Sequence, residues 1–116
     1  MRESIPRVQI LGVPVAGYTY ATWLAQIEAW LSEDTPPLHQ ICTVNPEFLV
    51  MAQTQPEFFA LLNKSAMCVP DGVGLLWAAR HLGQPLPGRV TGSDGLPKLA
   101  EVAARQGWRL FFLGAA

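Results

Sequence analysis

Asp71 is the best candidate catalytic residue in the sequence. It stands in Val69-Pro70-Asp71-Gly72-Val73-Gly74, between an apolar run that reads as a strand and an apolar stretch that reads as a helix. A carboxylate at such a junction faces the rim where α/β proteins bind ligands. The same position also suits helix capping, which aspartate does well. Gly72 and Gly74 lend weight to the ligand-facing reading. Glycine in a helix costs about 0.5–1 kcal/mol against alanine and is kept where backbone or ligand comes close.

Thr43 and Asn45 stand two apart at the end of another strand-like run, so in extended geometry both side chains project to one side. Together they could hydrogen-bond a sugar or a uracil edge. Asn45 precedes Pro46 and so also suits a helix N-cap, with Thr43 then an ordinary strand residue. Arg89 lies in a Gly/Pro-rich stretch with no apolar work to do; its fork of donors suits a diphosphate, and a solvated surface arginine is the plainer reading. His39 and His81 lack partners at metal-ligand spacing. Cys42 and Cys68 each fall in an apolar strand-like run without a CxxC, and read as core thiols of a reducing compartment. No GxGxxG, GxxxxGK[ST] or GxSxG occurs, so dinucleotide, P-loop and hydrolase readings lack their fingerprints.

The elements that must position these residues are legible in outline. Val8 to Val15 reads as two short strands around a tight turn, with Pro14 confining its strand to a sheet edge. Tyr20, Trp23, Leu24, Ile27 and Leu31 recur at helical spacing behind Thr19 as N-cap. His39–Thr43 reads as a strand, Pro46 to about Ala52 as a helix, and Pro56 onward as another with Phe58, Phe59 and Leu62 on one side. Ala66–Val69 is a second buried strand, followed by a helix carrying Val73, Leu76, Trp77 and Arg80 that Gly83 stops. Gln84–Gly95 reads as a long loop containing Arg89 and Asp94, Leu96–Gln106 as the last helix and Trp108–Leu113 as the last strand. Strands alternating with helices predict an α/β fold with a mainly parallel sheet. The final Gly114-Ala115-Ala116 resembles the start of a phosphate-binding turn, so a further unit is expected beyond it.

The bulk numbers narrow the function. The chain has 116 residues, half of them hydrophobic, which suits one small domain or part of one. Eight Lys and Arg against nine Asp and Glu leave a net charge of −1. No basic field is present to hold nucleic acid. The first thirty residues lack a signal-peptide core, and no window approaches the roughly 20 apolar residues of a membrane span, so membrane contact is expected to be peripheral.

Taken in order, Thr43-Val44-Asn45-Pro46-Glu47, Val69-Pro70-Asp71-Gly72-Val73-Gly74 and Arg89-Val90-Thr91-Gly92-Ser93-Asp94 resemble the signature of the WecG/TagA/CpsF family of bacterial glycosyltransferases. The closing Leu110-Phe111-Phe112-Leu113-Gly114 looks like the family strand leading into its second half. The resemblance covers nearly the whole chain, as a single α/β unit over residues 1–116 with a Rossmann-like layered fold incomplete at the C-terminus. It implies transfer of an N-acetylmannosamine-type sugar, its uronic acid or another hexose from a UDP donor to a polyprenyl-diphosphate-linked saccharide. The implied chemistry inverts the anomeric centre and uses no metal or cofactor. Asp71 would be the general base, Thr43, Asn45 and Gly72 would line the substrate pocket, and Arg89 would contact the diphosphate or the acceptor. The resemblance also implies a cytoplasmic protein at the inner membrane face, held there by a C-terminal segment beyond this chain; self-association is left open. A fragment that binds a nucleotide sugar without turnover is the competing expectation.

Overall fold

A computed structural model of the chain describes residues 5–35, 37–88 and 90–114. Leu11 and Gly12 both take positive φ, 51° and 81°, the turn geometry that matches the right-handed twist of a hairpin. This turn folds strand β1 (Arg7–Ile10) antiparallel onto β2 (Val13–Ala16), with Pro14 opposite Gln9. Helix α1 (Tyr20–Leu31) follows, started by a reciprocal cap. Thr19 Oγ1 accepts from the Thr22 N–H at 3.2 Å and Thr22 Oγ1 from the Thr19 N–H at 2.9 Å. Trp23 and Ile27 are buried, whereas Leu31, expected on the same stripe, is half exposed at the helix end.

The centre is a parallel pair, β3 (Ile41–Val44) and β4 (Met67–Pro70), joined through α2 (Pro46–Ala52) and α3 (Pro56–Lys64). Parallel strands require such a crossover. Strand alternation splits the core into two clusters. Val44 and Cys68 join the hairpin residues Val8, Ile10, Val13 and Val15 and the helix residues Leu49, Leu62 and Leu75. Met67 and Val69, on the other face, join Trp23, Ile27 and Val90. Leu49 and Leu75 are almost fully enclosed, a burial worth about 1.5–3 kcal/mol each. β2 packs beside β4.

Helix α4 (Val73–His81) turns Leu75 and Ala79 inward and leaves Val73 and Trp77 largely exposed, and Gly83 follows it at φ 77°. Helix α5 (Gly92–Gln106) ends on left-handed Gly107.

Two expectations are corrected. The loop expected to run through Gly95 stops at Thr91, whose Oγ1 accepts from the Asp94 N–H at 3.1 Å. Asp94 thereby lies in the first turn of α5, where a negative charge complements the helix dipole. Trp108–Leu113 is not a strand: no strand among the described residues pairs with it, and Phe111 and Leu113 are 88% and 90% exposed. Aromatic content favours extension, but a strand also needs a neighbour to bond. The α/β expectation holds in part: among the described residues the strands form one parallel and one antiparallel pair flanked by helices.

Candidate functional site

The β3–β4 register pairs Thr43 with Val69 and Val44 with Pro70, so the next step brings Asn45 and Asp71 alongside each other at the carboxyl ends of the strands. The Asp71 N–H extends the ladder by donating to the Val44 carbonyl at 2.8 Å. Asp71 is partly exposed rather than packed in the interior. Three of the residues singled out from sequence therefore meet at one rim: Asn45, Asp71 and, one residue further on, Gly72. Thr43 sits two strand positions below Asn45, half buried. Arg89 lies outside the described residues, although its neighbours do not: Val90 is buried in the second cluster, and the Thr91 N–H donates to the Tyr20 hydroxyl at 3.2 Å.

Capping divides between Asp71 and its neighbour in a way the sequence left open. The N-cap of α4 is Gly72, which has no side chain to offer, and no hydrogen bond or ion pair to the Asp71 carboxylate occurs among the described residues. Gly72 has φ 140° and ψ 161°, a conformation close to glycine-only, while the space where a Cβ would stand is open. Gly72 is thus required by its backbone and not by crowding. Gly74 is the reverse: a Cβ there would lie 2.9 Å from Pro46 Cγ. This contact seats α4 directly against the first residue of α2. Two helix starts consequently converge on the ends of β3 and β4, and the first turn of α4 contains no acidic residue.

Asn45 does cap its helix, with Oδ1 accepting from the Phe48 N–H at 2.9 Å. The cap uses only the oxygen, and the side-chain NH₂ has no partner among the described residues. Both readings of this residue are therefore compatible, one through each end of the amide. Asn45→Ala is expected to destabilise the protein by about 1 kcal/mol through the lost cap. Asn45→Ser, which retains a capping oxygen, should leave thermal unfolding nearly unchanged while weakening the binding of a ligand held by the free amide NH₂ about 3–10-fold, the worth of one hydrogen bond. Equal ligand affinity for Asn45→Ser and wild type would confine Asn45 to capping.

One contributor escaped sequence reasoning. Tyr20, read only as part of a helical stripe, ties α1 to the start of α5 through Thr91 and lies under the Lys98 ammonium at 5.0 Å. Nothing in its spacing signals a contact 71 residues away. A concavity of about 380 Å³ lies instead along α1, lined by Ile5, Tyr18, Ala21 and Ala25. It offers no carboxylate and includes no residue of the rim. His39 stacks on Trp30 at 4.2 Å and His81 on Trp77 at 4.7 Å, which accounts for both histidines as aromatic partners.

With this geometry in hand, residues 8–116 match the Glycosyl transferase WecG/TagA/CpsF family. The chain belongs to that family. Relatives from Staphylococcus aureus strains NCTC 8325 / PS 47, COL and MRSA252 are each 29% identical over 114 residues, covering 98% of this chain and 45% of their own length. Each bears the name N-acetylglucosaminyldiphosphoundecaprenol N-acetyl-beta-D-mannosaminyltransferase. The chain thus spans a little under half of these relatives. No helix among the described residues is long and apolar enough to cross a membrane.

Proposed function

We propose that this family member takes part in transferring an N-acetylmannosamine-type hexose from a UDP donor to a polyprenyl-diphosphate-linked saccharide, with inversion and without a metal, at the cytoplasmic face of the membrane. The observation that carries the reading is the uncapped Asp71 beside Asn45 at the carboxyl ends of β3 and β4. In the proposed reaction the Asp71 carboxylate takes the proton of the acceptor hydroxyl as that oxygen attacks the anomeric carbon. The sugar–phosphate bond breaks and UDP leaves with its electron pair. Direct displacement from the opposite face inverts the centre.

Thr43 and the free amide end of Asn45 line the sugar and acceptor side. Gly72 leaves the N-cap of α4 without a side chain, so that backbone N–H groups and the positive end of the helix dipole face developing negative charge. Arg89 is assigned to the diphosphate by its motif. Within this reading the described elements are the first part of a Rossmann-like layered domain, and the lipid-linked acceptor brings the protein to the membrane through a C-terminal segment of the whole protein. The names of the relatives support the sugar and the lipid-linked acceptor.

The test is a transfer assay on the whole protein, using a panel of UDP-hexoses and a polyprenyl-diphosphate-linked N-acetylglucosamine acceptor, with the product's anomeric configuration read by NMR. The expected result is transfer from UDP-N-acetylmannosamine with inverted configuration. UDP-sugar binding by the whole protein without transfer to any acceptor would overturn the reading.

A further inference from the structure

Cys42 and Cys68 are separated by 25 residues of sequence, yet the β3–β4 register makes them direct partners on adjacent parallel strands. Neighbouring strands lie about 4.7–4.9 Å apart, inside the roughly 4.4–6.8 Å range of Cα separations that disulfides span. Both side chains point to the same face of the pair, packing on the cluster formed with the hairpin and α2–α4. They differ in access: Cys42 is partly exposed and Cys68 is buried. The Cys68 S–H donates to the Leu62 carbonyl at 3.3 Å, and Ser65 Oγ lies 3.4 Å from its sulfur.

We propose that Cys42 and Cys68 form a reversible dithiol–disulfide couple, oxidised by exchange with a small-molecule disulfide such as oxidised glutathione. The Cys42 thiolate attacks one sulfur of the reagent, giving a mixed disulfide and releasing one thiolate, which takes up a proton. The Cys68 thiolate then attacks the Cys42 sulfur, closing the Cys42–Cys68 bond and releasing the second thiol. Two protein thiols are oxidised and one reagent disulfide is reduced to two thiols, so atoms and electrons balance. Excess thiol runs the sequence backwards.

The order of attack follows from access and acidity. Burial pushes the Cys68 thiol up, the Ser65 hydrogen bond opposes this, and the adjacent Cys42 raises it further. The thiolate is the attacking species, so Cys68 is the slower partner and ring closure should quicken as pH rises. The couple lies three residues before Asn45 on one strand and three before Asp71 on the other, so the bond would cross-link the two strands directly beneath the rim.

The test is non-denaturing incubation of the purified protein with oxidised glutathione, followed by acid quench, alkylation under denaturing conditions and mass spectrometry. The expected product is a monomer that has lost two hydrogens and takes up no alkylating agent, and whose proteolytic map links the Cys42 and Cys68 peptides until reductant is added. Cys68→Ser, checked for its fold by circular dichroism, should instead stop at a glutathione adduct on Cys42. The proposal is overturned if both thiols of the wild type remain alkylatable, if only glutathione adducts accumulate, or if the cross-link forms only between two copies. The wild-type measurement stands even if a variant fails to fold.

Discussion

Asp71→Asn should reduce transfer by the whole protein about 10²–10⁴-fold, the usual contribution of a positioned general base, while leaving thermal unfolding where it is in the wild type. Asparagine preserves the shape of the side chain and removes its capacity to accept a proton. The expectation of unchanged stability rests on a specific feature: the N-cap of α4 is Gly72, and the Asp71 carboxylate holds no intramolecular hydrogen bond among the described residues. The loss should fall on kcat with little change in KM for the donor, since an interaction made only in the transition state is removed. A parallel fall in melting temperature and activity would show that Asp71 is structural. Retention of more than about a tenth of the wild-type rate would remove it from the role of base altogether.

Gly74→Val is the second substitution expected to act strongly, and by a different route. A β-carbon at this position would meet Pro46 Cγ at 2.9 Å, and the proline ring, fixed at the first residue of α2, has little freedom to withdraw. Overpacking of this kind costs about 1–3 kcal/mol, so a clear drop in the unfolding midpoint is expected, with reduced transfer because α2 and α4 are pushed apart at the rim. Gly74→Ala balances a better helix former against the same contact and should fall between Gly74→Val and wild type. The comparison separates this glycine from Gly72, where no neighbour crowds the missing side chain and only the backbone angle enforces the residue. A Gly74→Val protein as stable as wild type would show that the α2–α4 contact is loose.

Features set by a few neighbouring residues could be read from the sequence, and those set by pairing at a distance could not. Thr19 and Asn45 identify their helices because a capping oxygen acts on an N–H three residues away. The hairpin around Gly12 is equally local. Thr91 is a cap of the same kind, but the Gly and Pro content around it reads as a continuous loop, and α5 begins at Gly92, four residues before Leu96, where that loop would hand over to the helix. At Asp71 the sequence offered capping or catalysis; the peptide conformation at Gly72, which no composition encodes, moved the cap one residue along. The register that aligns Asn45 with Asp71 and Cys42 with Cys68 depends on how the crossover closes, so the two cysteines appeared unrelated. Trp108–Leu113 has the composition of a strand, and its state depends on partners that composition does not specify.

The β3–α2–α3–β4 unit has a kinetic consequence. Residues 41–72 contain both strand ends, the connecting helices and the rim residues Asn45, Asp71 and Gly72. Closing about thirty residues of mostly helical chain carries a modest entropy penalty, and contacts of short sequence separation form early in folding. The strand ends that carry the rim are accordingly expected to form early in folding, which pulsed hydrogen exchange would read as early protection of β3 and β4.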